Sequence, residues 1–199
     1  MGRPREHGAA TRARLLEAAR RILAESGPAA LNLRGLATEV GTSTRAVYAL
    51  FESKEGLLRA LYVDGFDEFA ERLAKAGARP GPPRVVLLAL GAAYRDFARA
   101  DPARYRLMCE QLIPEFDPTP MDRRHALDAL EHLSAAVGDC VAAGEWGSTE
   151  VGAATLQWWA MLHGLAALEI RGVLGRPDTA RRHWERALAA FYDGLAAQR

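Results

Sequence analysis

Apolar residues keep one spacing along most of this chain. Leu15, Ala19, Ile22 and Leu23 fall at i, i+4, i+7 and i+8, which puts them on one face of a helix with Arg and Glu on the other. The spacing returns in Leu57, Leu61, Tyr62, Phe66, Phe69 and Leu73, and Val85 to Ala100 reads as a further helix with Leu88, Tyr94 and Phe97 inward. No run alternates apolar and polar residues between turn signals as a half-buried strand would. The spacing therefore predicts an all-α fold.

Helix breakers divide the pattern. Met1 to Ala10 lacks apolar periodicity and reads as a flexible basic arm. Thr11 is expected to cap the first helix, which Gly27-Pro28 ends: Gly tolerates a left-handed backbone and Pro cannot continue a helix. Asn32 can cap a second helix with its side-chain oxygen, and Leu33, Leu36, Ala37 and Val40 form that helix's buried face. Gly35, inside so short a helix, costs roughly 0.8–1 kcal/mol relative to Ala. Gly41 supplies a turn, Thr42 or Ser43 caps a third helix to about Phe51, and Ser53 caps a fourth.

The Gly and Pro run from Gly77 to Pro83 marks a boundary. Asp101-Pro102 then opens a helix to about Leu112, three prolines make Ile113 to Pro120 a loop, and Thr119-Pro120 opens a long helix to Ala143. Two more helices are expected from about Thr149 to Arg171 and Pro177 to Ala197. Residues 1–60 are taken as a three-helix domain and 61–199 as a larger helical domain, with the fourth helix as the strut between them.

Composition excludes several classes. With 49% apolar and 26% charged residues, the chain is ordinary for a soluble globular protein. Cys109 and Cys140 are too few for a disulfide framework and lack the spacing of a zinc or redox motif. No cationic segment leads into an apolar run at the N-terminus, so a cytoplasmic location is expected. Charge is uneven: residues 1–60 hold 10 Lys and Arg against 6 Asp and Glu, whereas the remainder is slightly acidic. A basic N-terminal third points to an anionic partner met by that end.

Leu31 to Lys54 supplies the matching chemistry. A helix lying in the major groove of DNA needs small or hydrogen-bonding residues at its N-terminal end and apolar residues behind it. Thr42, Ser43, Thr44 and Arg45 stand at that end of the third helix, and Val47, Leu50 and Phe51 hold it to the core. Arg45 can meet guanine O6 and N7 together. Tyr48, Lys54 at the start of the fourth helix, and Arg34 near the start of the second are expected at phosphates.

In Leu36-Ala37, the turn Gly41-Thr42-Ser43, Val47-Tyr48-x-x-Phe51 and Ser53-Lys54-Glu55-x-Leu57-Leu58, the N-terminal 60 residues resemble the DNA-binding domain of the TetR family of transcriptional regulators. The resemblance implies a homodimer on palindromic operator DNA, with a second all-α domain that receives a small-molecule effector and supplies the dimer interface. Two positions depart from it. Leu50 stands where the family often carries a donor such as His, and Gly35 where it often carries a polar residue. Farther on, Tyr105-Arg106-Leu107-Met108, the Pro-Glu-Phe-x-Pro loop from Pro114 and Trp159-x-x-x-His163-Gly164-Leu165 are similar to family members whose regulatory domain bears a Trp-His-Gly signature.

Ala153 to Ile170 is apolar for most of its 18 residues, but Gln157, His163 and Glu169 interrupt it, so a buried helix is expected rather than a membrane span. One side should meet its own domain and the other a partner subunit, with Leu188, Phe191 and Leu195 completing a four-helix interface. Tyr94, Met108, Trp158, Trp159 and His163 are candidate ligand contacts, and each can equally be a core residue. His125 and His132 lie seven apart on the long helix without a third ligand, so neither metal nor cofactor is expected. No GxSxG, HExxH, P-loop or GxGxxG motif is present, so the chain is not expected to be an enzyme. The expected function is a ligand-responsive DNA-binding regulator, a repressor released by a small molecule; the alternatives are an activator, an architectural DNA-binding protein, or a helical small-molecule enzyme with a vestigial DNA domain.

Overall fold

The computed structural model describes residues 3–110, 113, 116–147 and 150–197, all of whose regular structure is helical. Pro114 and Thr149, invoked above for a loop and a helix start, lie outside the described residues, as do Met1 and Gly2. The α-helices are α1 (Arg3–Ser26), α2 (Leu33–Val40), α3 (Thr44–Phe51), α4 (Lys54–Gly77), α5 (Pro83–Ala100), α6 (Pro102–Cys109), α7 (Pro120–Asp128), α8 (Glu131–Ala142), α9 (Val151–Ile170) and α10 (Pro177–Ala196). They form two compact units. One comprises Met1–Phe66 with Asp101–Ala126, the other Asp67–Ala100 with Leu127–Arg199.

Two expectations fail for identifiable reasons. The N-terminal arm is helical from Arg3, so Thr11 lies inside α1 and not at its cap. Pro4 falls in the first turn, where its missing N–H has no intrahelical partner to lose, and the Arg, Glu and Ala around it are good helix formers. The long helix expected to Ala143 is broken at Ala129-Leu130 into α7 and α8. No Gly or Pro marks that break, and the boundary between the two compact units falls before it, between Ala126 and Leu127 inside α7. His125 and His132 therefore stand on different helices.

In the first unit, α1, α2 and α3 bury Leu15, Ala19, Leu23, Leu36, Val40, Val47 and Phe51 against one another. Arg14 reaches from α1 to donate to the Val40 carbonyl at 2.6 Å, satisfying one of the acceptors orphaned at the end of α2. Helix α6 packs on α1. Gly65 of α4 faces Met108 of α6 so closely that a Cβ would come within 2.5 Å of its sulfur.

Thr119 caps α7 reciprocally: the Asp122 N–H donates to the Thr119 hydroxyl at 3.2 Å, and the Thr119 N–H and hydroxyl both donate to the Asp122 carboxylate at 2.8 Å. Arg59 Nε of α4 donates to the same carboxylate at 3.0 Å. Burial by itself would raise the Asp122 pKa, but the Thr119 and Arg59 hydrogen bonds outweigh it and hold the carboxyl below its usual range.

In the second unit, Leu87 and Leu90, with Tyr94 and Phe97, form the inward face of α5. Leu88, expected inward, is only half-buried. Phe69 meets Tyr94 edge-on at 5.2 Å and Phe97 at 4.9 Å. Ala154, Trp158, Leu162 and Ala166 form the single buried stripe of α9, which leaves Leu156 and Leu168 exposed. Leu188 and Leu195 of α10, expected at a subunit interface, are buried within their own chain; Leu188 sits where a Cβ on Gly91 would approach it to 2.7 Å. No helix among the described residues is long and apolar enough to cross a membrane.

Arg95 bolts α5 to α9 through a two-pronged bond to Glu169, at 2.9 and 2.7 Å, with both side chains about 10% exposed. Arg99 adds a contact at 3.3 Å. Removing one member of such a pair leaves the other desolvated without a counter-charge. Glu169→Ala should therefore lower stability by about 3 kcal/mol, while the double change Arg95→Met with Glu169→Leu should recover most of the loss. Urea unfolding of the three proteins checks this; equal losses in the single and double variants would show that the pair is not what joins the helices.

Candidate nucleic-acid interface

The geometry of α2, the turn and α3 follows from a series of local caps. The Asn32 side chain accepts the Gly35 N–H at 2.7 Å, opening α2. A Cβ on Gly35 would come within 3.1 Å of that Asn32 amide, so the glycine that weakens the helix also makes room for its cap. At the other end Gly41 is left-handed, with φ 71°, and the Thr42 N–H donates back to the Ala37 carbonyl at 2.9 Å. The Ser43 hydroxyl then accepts the Ala46 N–H at 3.1 Å and starts α3. Of the two capping candidates, Ser43 is the one used.

Helix α3 is divided lengthwise. Val47 and Phe51 are buried, and the guanidinium of Arg12 lies 5.8 Å from the Phe51 ring centre. Arg45 and Tyr48, one turn apart, face outward, Tyr48 with 48% of its surface exposed. Ser43 is exposed at the N-terminus of the helix, and Thr42 and Thr44 are half-buried beside it. Leu50 is half-buried. The structure thus brings Thr42, Ser43, Thr44, Arg45 and Tyr48 onto one outward edge.

Arg34 and Lys54 are placed differently. Arg34 is exposed in the first turn of α2. Lys54 is exposed at the first residue of α4, and its Nζ donates to the Pro28 carbonyl at 3.2 Å, in the short 3₁₀ turn (Pro28–Ala30) that follows α1. An ammonium has three donors, so one fixes the side chain and two remain.

Two residues at the corner after α3 escaped the sequence reading. Glu52 has φ 64°, the left-handed region, and its N–H closes α3 on the Tyr48 carbonyl at 2.8 Å. Gly56 donates its N–H to the Ser53 hydroxyl at 3.0 Å, and a Cβ there would stand 1.9 Å from the Phe51 carbonyl oxygen. The Ser53-x-x-Gly56 spacing was available as a capping signal, but the close approach that demands glycine is tertiary.

Of the candidate ligand contacts, Tyr94 and Trp158 are core residues, with Trp158 packed edge-on to Phe191 at 5.6 Å. Trp159 and His163 are half-buried on α9, 6.5 Å apart. Met108 lines a cleft beside α4. Trp158 and Met108 thus sit in different compact units.

The family of bacterial regulatory proteins named for TetR matches residues 15–61, and the tetracyclin repressor-like C-terminal domain matches residues 87–191. The chain belongs to the TetR family. The HTH-type transcriptional regulator Rv0681 of Mycobacterium tuberculosis is 31% identical over 171 residues, 85% of this chain and 74% of its own. A second regulator of that organism, Rv1816, is 30% identical over 72% of this chain, and the match spans 61% of its length. Among solved structures, a protein of unknown function from Rhodococcus sp. RHA1 superposes with a TM-score of 0.82 at 29% identity, covering 94% of this chain and 95% of that one. The TetR-family transcriptional regulator PfmR from Thermus thermophilus does so with a TM-score of 0.66 at 25% identity, covering 92% and 97%. This TetR-family chain is thus a DNA-binding transcriptional regulator.

The corner at Gly56 is what sets the direction in which α4 leaves α3. Because the obstacle is a backbone carbonyl and not a flexible side chain, Gly56→Ala should cost about 2 kcal/mol or more. Thermal unfolding would detect that as a lowered midpoint, and a midpoint unchanged from the parent would show that the corner gives way easily.

Proposed function

We propose that this TetR-family regulator is a homodimeric repressor that holds a palindromic operator through its two copies of α3 and leaves it when a small molecule binds. The observation that carries the reading is the division of α3, with Val47 and Phe51 fixed in the core and Arg45 and Tyr48 turned outward from a capped N-terminus. The two helices then enter successive major grooves about 34 Å apart, as in other helix-turn-helix dimers.

In this reading Arg45 contacts base edges, Thr42, Ser43 and Thr44 line the groove entrance, and Tyr48 meets the sugar-phosphate backbone. Lys54, tethered at Pro28, offers its remaining donors to a phosphate, and Arg34 adds a second positive charge. The repressor assignment draws on the match to the tetracyclin repressor-like C-terminal domain. Dimerisation is assigned to the outward face of α9, where Leu156 and Leu168 are 59% and 41% exposed.

Three measurements test the proposal. DNA selected from a random pool by the purified protein should contain an inverted repeat, and its binding should weaken steeply with salt. Against that DNA, Arg45→Ala should cost about 1–3 kcal/mol and relax the choice of base at one position per half-site, whereas Lys54→Ala should weaken all sequences alike. If Arg45→Ala keeps both the affinity and the base preference of the parent, α3 is not the reading helix. Leu156→Glu combined with Leu168→Glu should convert a dimer to a monomer in sedimentation equilibrium; a dimer that survives both changes places the interface elsewhere.

A further inference from the structure

Helix α4 ends in an ordered row of exposed charges. Asp67, Glu71 and Lys75 follow one another at intervals of four, and Arg79 continues the row just past the helix end, where the Ala78 N–H still donates to the Ala74 carbonyl at 2.9 Å. All four side chains are exposed. Residues four apart line up as a ridge along a helix. This ridge is therefore two carboxylates followed by two cations, and all of it belongs to the second compact unit.

Glu68 and Arg72, also four apart on α4, are joined by two bonds at 3.0 and 2.7 Å. Glu71 and Lys75 have the same spacing, yet among the described residues Glu71, Lys75 and Arg79 form no ion pair. Beside the ridge an open groove of about 490 Å³ runs between α4 and α5. Ala76 lines it from α4 and Ala89, Ala92 and Ala93 line it from α5, with Lys75 and Arg79 at its edge. The three α5 alanines stand at i, i+3 and i+4, the spacing of a helix face that receives another helix. Their short side chains let a second helix come close.

The order of charges on the ridge is self-complementary. Leu73 lies midway between Asp67 and Arg79 and midway between Glu71 and Lys75. Turned end for end about a twofold axis at the level of Leu73, a second copy of α4 sets its Arg79 opposite Asp67 and its Lys75 opposite Glu71, and symmetry supplies the reverse pairs. A purely acidic partner would meet Lys75 and Arg79, but also Asp67, Glu71 and, in the groove, Asp96. A second copy answers both signs.

We infer that this surface is an interface between two copies of the chain, the α4 ridge of each seated in the α4–α5 groove of the other, and that it is separate from the α9 face assigned to dimerisation above. Exposed ion pairs are individually weak and are screened by salt. The contact therefore forms at low ionic strength and dissolves as salt rises. Added to the dimer proposed above, it makes a dimer of dimers with four copies of α3, which holds two operators at once.

Sedimentation equilibrium of the full-length protein at about 0.1 M and about 1 M salt tests the interface, since the screening length falls from about 10 Å to about 3 Å between them. The mass at low salt should be twice that at high salt. That doubling is expected whether the high-salt species is a dimer or a monomer, so it is read separately from the α9 assignment, which the Leu156 and Leu168 changes decide. Asp67→Lys with Glu71→Lys should abolish the doubling, and so should Lys75→Glu with Arg79→Glu, because each gives a ridge of one sign. Mixed together, the two variants should double in mass again, which proteins with a damaged fold would not do. Ala92→Trp, which fills the groove and leaves the charges in place, should also abolish the doubling. A parent mass that does not double at low salt overturns the second copy as occupant, whether or not polyglutamate or laurate binds there instead. Doubling that persists at high salt, or paired variants that stay apart when mixed, overturns the charge pairing. Doubling retained in Ala92→Trp overturns the seating in the groove.

Discussion

Burial of Val47 and Phe51 is the interaction on which the DNA-reading element depends. Eight residues of helix are too few to persist alone in water, since nucleation is costly and propagation returns little over so short a length. Helix α3 exists because its inner face is held by α1 and α2 and because both of its ends are closed, by Ser43 at the start and by Glu52 at the finish. The outward position of Arg45 and Tyr48 is a consequence of that burial. A helix turned by one residue would put Tyr48 in the core and Val47 in water.

The corner after α3 transmits this arrangement to α4. Glu52 accepts a left-handed backbone, Ser53 caps the next helix, and Gly56 allows the Phe51 carbonyl to pass at a distance no other residue tolerates. From there α4 carries in succession Arg59, which grips the cap of α7, Tyr62, which lines the cleft, and Gly65, which lets α6 close on it. One helix thus makes these contacts in consecutive turns. The second compact unit is held differently, by aromatic packing of Phe69, Tyr94 and Phe97 and by the Arg95–Glu169 pair that joins α5 to α9.

The helix-turn-helix was the most legible part of the sequence because its signals are local. Asn32, Gly41 and Ser43 act within three or four residues of themselves, and Leu33, Leu36, Ala37 and Val40 are buried as their spacing predicts. Leu88 was less legible, since Leu87 is its neighbour and either can point inward until α8, α9 and α10 are in place. Leu188 and Leu195 carried the same ambiguity: an apolar residue on an amphipathic helix asks to be buried, but the pattern does not say whether by its own chain or by a partner. The Arg59–Asp122 bond joins residues 63 positions apart, beyond the reach of any periodicity.

What the sequence determined by itself was the helical class, the caps and turn of the DNA-reading element, and which of its residues are apolar enough to be its core. These follow from backbone preferences and from spacing, both of which act over a few residues. Tertiary structure decided the break between α7 and α8, where no residue disfavours a helix, and the need for glycine at position 56. It alone brought Tyr62, Met108 and Phe116 to one cleft. Each of those outcomes depends on where a distant segment comes to rest, and short-range preference, worth less than about 1 kcal/mol per residue, is too weak to decide it.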